Sequence, residues 1–298
     1  MTSTRSATLF ALALLAPALI YILTIVAYPL VDTIILSFTN ASLRPGYDFI
    51  GWANYERIFG AGNFTEVIIR TFIWTFFSVS LKMVIGMLGA VLLNAAIPGQ
   101  ALFRILTMPP WIVPMAIGIF MWGWMYNGQF GMISGLLQNF GITDGPIAWL
   151  AYGETAFWAT IITDVWIGVP MVTIYFLAAM QSIPRDLHEA AWTDGAGRFY
   201  RFRRITVPLM VPAIITMSLL SLIATFNSFD IIWILTQGGP SGSTTTMIID
   251  TYKTAISRFR YGEGAARAVL IVLFLSAFAA FYFYLISRAT RGGANNDQ

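Results

Sequence analysis

The sequence predicts an all-α integral membrane protein with six transmembrane helices, and three observations support this. Hydrophobic residues make up 57% of the 298 residues and charged residues only 10%, whereas soluble domains average about 45–50% and about 25%. Mean hydropathy is +0.72. The apolar residues also fall into six runs that are long enough to cross a bilayer, which takes about 20 residues of helix. Open strands could not satisfy their backbone polar groups in lipid, so these runs predict helices.

The apolar runs define six spans within a single transmembrane domain, residues 1–298. Their approximate limits are 9–36, 67–95, 103–126, 155–180, 206–235 and 266–287. The first span holds a mainly apolar run from Leu9 to Leu30. A signal peptide has only about 7–15 apolar residues, so we expect this span to remain uncleaved. Proline lacks an N–H group and kinks helices, and the spans contain Pro17, Pro29, Pro109, Pro110, Pro114, Pro170, Pro208 and Pro212.

The distribution of basic residues predicts which ends of the spans face the cytoplasm. The 127–154 connection has no lysine or arginine. The 181–205 connection contains Arg185, Arg198, Arg201, Arg203 and Arg204. Short cytoplasmic loops are enriched in lysine and arginine, so this connection and both termini are predicted to be cytoplasmic. The longer 37–66 and 236–265 segments carry basic and acidic residues together and are predicted to lie outside.

The residue types of common catalytic and metal sites are scarce. The chain has no cysteine and one histidine, His188, which excludes thiolate and multi-histidine metal sites. Neither Lys82 nor Lys253 lies in a glycine-rich phosphate-binding loop. We therefore expect a chain that is not an enzyme and does not itself hydrolyse ATP. No internal repeat is visible, which argues against an inverted-repeat carrier that encloses its own pathway.

A charged strip between the fourth and fifth spans predicts a short cytoplasmic helix. Pro184 can begin a helix, and Asp186 in the first turn suits the positive end of the helix dipole. Gly195 and Gly197 are expected to end it, because glycine readily adopts the left-handed conformation found at helix ends. From periodicity alone, a solvated basic loop that contains an amphipathic helix is also compatible with the strip.

The predicted helix has two different faces. At 100° per residue, one face carries Leu187, Ala190 and Ala191, and the other carries Arg185, Glu189 and Trp192. The small alanine side chains would allow another surface to approach closely.

The order of residues in this strip resembles a known motif. The segment EAAWTDGAGRFYRFRRITVPLMVP resembles the EAA loop of permease subunits in binding-protein-dependent ABC importers. Their pattern is E-A-A-x-x-D-G-A, a spacer, F-x-x-I-x-x-P and a further proline. The matching residues are Glu189, Ala190, Ala191, Asp194, Gly195, Ala196, Phe202, Ile205, Pro208 and Pro212.

Other segments resemble the carbohydrate branch of this family, the maltose-type and glycerol-phosphate-type permeases. They are FNSFDIIWILTQGGP from Phe226, FIGWANYERIF from Phe49 and RYGEGAA from Arg260. The segment PLVDTIILSFTN from Pro29 favours the first of the two subunit types in that branch. The resemblance implies the type I importer permease fold, with several spans in a bacterial inner membrane.

In that family the EAA helix transmits ATPase movements to the permease. The resemblance gives this coupling role to residues 184–196, with Glu189 and Gly195 needed for coupling but not for folding. The coupling residues are Pro184, Leu187, Glu189, Ala190, Ala191, Asp194, Gly195 and Ala196. No cofactor is implied in this chain, because ATP and Mg²⁺ would be bound by two ATPase subunits. The other implied partners are a second six-helix permease and an extracytoplasmic solute-binding protein, and no nucleic acid is implied.

Polar residues inside the spans predict a substrate pathway, because they are costly in lipid and usually face a cavity or partner. Nearby aromatic rings could pack against sugars, and related maltose-type permeases bind substrate on the corresponding fourth and fifth spans. The pathway candidates are Trp166, Gly168, Phe226, Asn227, Phe229, Asp230 and Trp233. The alternative is that these residues pack helices or contact the partner permease. Lys82 is expected to pair with a carboxylate or to extend toward the membrane surface.

The function predicted from the sequence is therefore ATP-driven import of a sugar, glycoside, polyol or glycerol-phosphate-like solute. One alternative is a stand-alone ion-coupled carrier that uses Asp164, Asp230 and Lys82. The missing repeat and the lack of proton-relay histidines argue against it. A second alternative, an integral-membrane enzyme, has no evident pair of nucleophile and base.

Overall fold

The computed structural model describes residues 2–60, 62–95 and 100–294, and within them the side chains of 10–60, 62–95, 100–103, 105–284 and 286. Part of the predicted 96–102 connection lies outside these ranges. Within them the regular structure is helical, apart from an isolated bridge between Thr39 and Phe49. Five helices and one bent pair are long and apolar enough to cross a membrane. They are Phe10–Leu36, Asn63–Asn94, Gln100–Ile112 with Met115–Met125, Gly153–Gln181, Arg198–Phe226 and Tyr261–Tyr284. The predicted fold class is confirmed.

The first two spans are continuous helical segments. The first comprises α1 (Thr2–Tyr21), a π-helical turn (Ile22–Ala27) and α2 (Tyr28–Leu36). A short helix, α3 (Ala53–Gly60), precedes the second span, α4 (Asn63–Asn94).

The third span is broken at its prolines. It consists of α5 (Gln100–Thr107), α6 (Pro109–Ile112) and α7 (Met115–Met125), and its two halves meet at 102°. Val113 and Pro114 are extended, with ψ angles of 129° and 130°. A residue that precedes proline is disfavoured in the helical conformation, and proline has no N–H group to continue the hydrogen-bond ladder. The third span therefore turns sharply at the position where the prolines predicted a kink.

The fourth span and the strip that follows it are separate helices. After α8 (Met132–Asn139), the fourth span is α9 (Gly153–Gln181), and the charged strip begins with α10 (Arg185–Thr193).

The fifth span starts earlier and ends earlier than the predicted range 206–235. It comprises α11 (Arg198–Arg201), a π-helical turn (Phe202–Thr206) and α12 (Val207–Phe226), and a separate helix, α13 (Asp230–Leu235), follows. At the break, the Asn227 side chain donates a hydrogen bond to the Ile223 carbonyl over 2.9 Å. Such local side-chain bonds compete with the helical ladder, and the helix that was predicted to be continuous ends at this point. The remaining elements are α14 (Met247–Tyr252), a π-helical turn (Lys253–Ser257) and α15 (Tyr261–Ala294).

Contacts divide the chain into two units. The first unit comprises Met1–Thr65 and Asp250–Leu273, and the second comprises Glu66–Ile249 and Phe274–Gln298. In the first unit, the buried Asn54 amide donates to the Ser37 and Thr39 carbonyls over 2.8 Å each. These bonds hold the loop after α2 against α3.

The core of the second unit contains two apolar clusters. One is formed by Ala90, Val172, Phe176, Met180, Ile183, Met210 and Met217. The other is formed by Trp74, Ile161, Val165, Ile232 and Ile249. Both clusters join residues from α4 and α9 with residues from later helices, so they hold these spans together.

Gly86 allows α4 and α9 to approach closely, and Gly86→Ala is expected to destabilise the protein. A Cβ atom at Gly86 would lie 2.5 Å from Val172 Cγ1 and 2.8 Å from Val172 Cβ. Overpacking of this kind costs about 1–3 kcal/mol. Denaturant titration of the purified protein in detergent measures the change in free energy of unfolding. In the control Gly135→Ala, on α8, the new Cβ meets no atom within 4 Å, so this variant should be neutral or slightly stabilised. Equal changes in the two variants would contradict the expected close packing.

Candidate functional site

A cavity of about 480 Å³ in the second unit contains the candidate functional site. Its wall is formed by the break of the third span, the middle of α9, the end of α12 and Lys82 of α4. The lining residues are Lys82, Pro110, Trp111, Ile112, Val113, Pro114, Met115, Asp164, Ile167, Gly168, Met171, Ala224, Thr225, Ser228 and Ile231. We call it the Lys82 cavity. Ligand pockets typically have volumes of about 300–1,000 Å³, with apolar walls and a few polar groups, and this cavity fits that description.

An ion pair forms part of the wall of the Lys82 cavity. Lys82 Nζ lies 2.6 Å from Asp164 Oδ2 and donates a hydrogen bond to Thr225 Oγ1 over 2.9 Å. Lys82, Asp164 and Thr225 are 6%, 4% and 1% exposed. Charged residues within membrane spans normally face one another or a cavity, and this pair does both. It also joins α4, α9 and α12 and confirms the expected carboxylate partner of Lys82.

Gly168, a predicted pathway residue, lines the cavity. Its lack of a side chain makes room for the Lys82 side chain. A Cβ atom at this position would lie 2.6 Å from Lys82 Cε. Any larger residue would therefore displace the ammonium group that contacts Asp164. Trp166, two residues earlier, has a different environment, because its ring packs against Trp122 at a centroid distance of 5.8 Å.

The other aromatic pathway candidates pack against other parts of the second unit. Phe226 is 1% exposed and contacts the rings of Phe72 and Phe278 at centroid distances of 6.0 and 6.3 Å. Phe229 and Trp233 stack at 5.4 Å and pack against the apolar cluster that includes Trp74. These rings stabilise the helices around the cavity and are not among its lining residues.

Asn227 and Asp230 lie in and after the break between α12 and α13. Both are exposed, and Ser228 between them lines the cavity. Asp230 occupies the first turn of α13, where a negative charge is favourable. The structure therefore brings Gly168 to the cavity and places Asn227 and Asp230 beside a lining residue.

Sequence reasoning missed Thr225 and the turn from Pro110 to Met115 as cavity residues. Thr225 is a small polar residue one position before the recognised FNSFD segment, and nothing in the pattern marks it. The turn carried a signal in PPWIVP, since three closely spaced prolines predict a broken helix, and broken helices often line cavities in membrane proteins.

The predicted coupling strip contains an exposed helix with a well-defined end. Pro184 precedes α10 with ψ 130°. Gly195 has φ +81°, its N–H donates to the Trp192 carbonyl over 2.9 Å, and the Ala196 N–H donates to the Ala191 carbonyl over 2.9 Å. This is a Schellman motif, which terminates helices at a left-handed glycine.

Gly197 does not end α10, contrary to prediction. Its φ is −66°, and it lies at the start of α11 instead. The Schellman motif at Gly195 already completes the helix end, so no second left-handed residue is needed.

The predicted coupling residues form an accessible surface. Leu187, Glu189, Ala190, Asp194 and Gly195 are exposed, and Ala191 and Ala196 are half-buried. Trp192 is 70% exposed. No residue of α10 is buried, so the helix is accessible to a protein partner along its length.

A second buried charge cluster lies in the first unit and was not predicted. Arg267 contacts Asp250 Oδ2 through Nε at 2.7 Å and Glu263 Oε1 through Nη1 at 2.6 Å. Its guanidinium also lies over the Phe64 ring, 5.6 Å from the centroid. Glu263 belongs to the RYGEGAA segment, so this segment contributes to a structural ion pair.

Removing Arg267 is expected to destabilise the first unit strongly. In Arg267→Met, Asp250 and Glu263 lose their buried partner, an effect of about 3–5 kcal/mol. The matched control is Arg260→Met: Arg260 contacts the same Glu263 at 3.3 Å, but its side chain is 63% exposed. Exposed pairs contribute about 0–1 kcal/mol. Thermal unfolding of the two purified variants measures the difference, and equal melting temperatures would contradict a structural role for the buried cluster.

Comparison with known proteins places the chain in a family. A family model described as "binding-protein-dependent transport system inner membrane component" matches residues 6–292. The trehalose/maltose transport system permease protein MalF of Thermococcus litoralis is 35% identical over 270 residues, 90% of this chain and 90% of MalF. The sulfoquinovosyl glycerol transport system permease protein SmoG of Agrobacterium fabrum is 32% identical over 280 residues, 93% of this chain and 90% of SmoG.

The fold also matches solved transporters. A crystal structure of a bacterial alginate ABC transporter, in complex with an alginate pentasaccharide-bound periplasmic protein, contains a chain that matches with a TM-score of 0.83. The match covers 96% of both chains at 20% sequence identity. It shows that the two chains share the type I ABC importer permease fold. Because the family model and these relatives match nearly its whole length, the chain belongs to the family of binding-protein-dependent transport system inner membrane components.

Proposed function

We propose that this chain is a permease subunit of an ATP-driven importer for a carbohydrate-like solute, a sugar, glycoside, polyol or glycerol phosphate. It pairs with a second six-helix permease, and two ATPase subunits bind ATP and Mg²⁺ in the cytoplasm. A solute-binding protein delivers the solute from outside. The observation that carries this proposal is the exposed α10 helix, which contains the start of the EAA pattern, in a chain whose family match is nearly full length.

The surface of α10 and its termination support the proposed coupling role. The Schellman motif makes the helix end independent of any partner, so the exposed face is preformed for docking into an ATPase subunit. Ala190 and Ala191 allow close approach, and Glu189 offers a negative charge to a basic group of the partner. The arginines that follow α10 support a cytoplasmic position for this helix and for both termini.

The solute passes through the Lys82 cavity in this proposal. Polar groups from α4, α9 and α12 meet apolar residues from the broken third span, a combination suited to hydroxyl groups and C–H surfaces of a carbohydrate. The names of the relatives MalF and SmoG support solutes of this chemistry. An ion-coupled carrier would depend on Asp164, Asp230 and Lys82. Because Asp164 and Lys82 are already paired with each other, and no observation favours such a carrier, we do not propose it.

Transport by the assembled complex tests the proposal. The chain is coexpressed with a partner permease and ATPase subunits from the same organism, and the complex is reconstituted in vesicles. Thermal-shift screening of the cognate solute-binding protein against a sugar panel first identifies the solute. We expect accumulation of that solute to require ATP and the binding protein, and to be inhibited by vanadate. Uphill transport by this chain alone without nucleotide would contradict the proposal.

A further inference from the structure

We propose that the Lys82–Asp164 ion pair is a specificity determinant of the Lys82 cavity. It selects uncharged polyhydroxylated solutes and excludes solutes that carry a carboxylate, phosphate or sulfonate group. This inference rests on the proposed transport function of the cavity and narrows the proposed solutes to uncharged sugars, glycosides and polyols, without glycerol phosphate.

The first argument is the charge balance of the wall. Among the residues that line the cavity, one is cationic, Lys82, and one is anionic, Asp164. Their charged atoms are 2.6 Å apart, so each neutralises the other. An anionic solute in the cavity would lie near the Asp164 carboxylate and find no uncompensated cation. Like charges are strongly repulsive where the dielectric constant is low.

The second argument is that an anionic solute cannot easily replace Asp164 as the partner of Lys82. If an anionic solute bound the Lys82 ammonium group in place of Asp164, the Asp164 carboxylate would remain buried without a cation. Breaking a buried ion pair by removing one partner is strongly destabilising. Asp164 is 4% exposed, so water cannot readily replace Lys82.

The third argument is the hydrogen-bonding capacity that the pair leaves for hydroxyl groups. An ammonium group has three N–H donors. One of them is donated to Thr225 and the nitrogen lies 2.6 Å from Asp164 Oδ2, so the ammonium group keeps capacity for a solute oxygen. Ser228 adds a hydroxyl group to the same wall. The pair is therefore electrically neutral but still able to bind a hydroxyl oxygen.

Direct binding to the assembled complex tests the inference without the selectivity of the solute-binding protein. The complex of this chain with its partner permease and ATPases is placed in nanodiscs. Binding is measured for matched probes: maltose and maltobionate, trehalose and trehalose 6-phosphate, glycerol and glycerol 3-phosphate. We expect at least one neutral probe to bind, and its anionic counterpart to bind at least about tenfold more weakly.

Two variants change the net charge of the wall in different ways. Asp164→Asn leaves Lys82 without its carboxylate, and Met171→Lys adds a cation to the lining while the ion pair stays intact. Each is expected to reduce the preference for the neutral probe by about tenfold or more. Asp144→Asn removes an exposed carboxylate from the loop before α9 and serves as the control with unchanged preference. If Asp164→Asn does not assemble, Met171→Lys decides the result.

The outcomes separate the inference from the proposed function. Anionic probes that bind the wild-type complex as tightly as neutral ones would overturn the inference, as would an unchanged preference in Met171→Lys or failure of every neutral probe to bind. ATP-dependent accumulation of an anionic probe in vesicles would overturn the inference while leaving the proposed import function standing. Absence of any ATP-dependent uptake would count against the proposed function itself.

Discussion

Glu189→Lys is expected to abolish ATP-driven uptake while leaving the chain folded in the membrane. Glu189 lies on the exposed surface of α10, so the new lysine meets no buried group and the helix remains intact. If Glu189 contacts a basic group of the ATPase, charge reversal replaces an attraction by a repulsion. Loss of a close interfacial charge pair costs about 2–5 kcal/mol, which corresponds to at least about 30-fold weaker attachment.

Two measurements check this effect. Copurification of the ATPase subunits with the tagged permease reports attachment, and uptake in vesicles reports coupling. Glu154→Lys is the matched control, because Glu154 is also an exposed glutamate in a helix, at the start of α9, and lies far along the chain from the EAA segment. It should copurify with the ATPase like the wild type. A Glu189→Lys variant that retains both attachment and uptake would contradict the coupling role.

The second large effect is expected for single substitutions of the Lys82–Asp164 pair. Lys82→Met leaves Asp164 charged and buried, and Asp164→Asn leaves Lys82 in the same condition. Each single variant should lose about 3–5 kcal/mol of unfolding free energy, whereas the double variant should recover much of the loss. The recovery is the interaction energy of a double-mutant cycle.

Denaturant titration of the purified protein in detergent measures all four corners of the cycle. The matched control is Lys253→Met, in the π-helical turn after α14. Burial and the neighbouring Arg258 lower the pKa of Lys253 despite the opposing effect of Asp250, so its charge is already disfavoured and its loss should cost less than about 1 kcal/mol. If the double variant were as unstable as the sum of the two single variants, the ion pair would not couple the helices.

Several features of the chain were predictable because they depend on local rules. The spans follow from the length of apolar runs. Pro109, Pro110 and Pro114 predict the kink in the third span. The end of α10 at Gly195 follows from the conformational freedom of glycine. In each case the residues that decide the structure are neighbours in sequence.

Other features could not be predicted because they depend on which helices meet. In the sequence, three aromatic residues are equally good candidates for sugar contacts: Phe226, Phe229 and Trp233. In the structure, Phe226 packs against Phe72 and Phe278, and the other two pack against the Trp74 cluster. The predicted fifth span divides at Asn227, whose side chain bonds to the Ile223 carbonyl, and periodicity does not reveal this break.

The sequence by itself determined that the spans lie in lipid, that the fold is helical, and that a short helix with the EAA residues follows the fourth span. The length of apolar runs and the positions of proline and glycine decide these features within a few residues. Only the tertiary structure decided that Lys82 meets Asp164 and Thr225 at the wall of a cavity, and that Gly168 makes room for the lysine side chain. These contacts join residues far apart in the chain, and a distance between side chains on different helices is fixed by packing and not by local pattern.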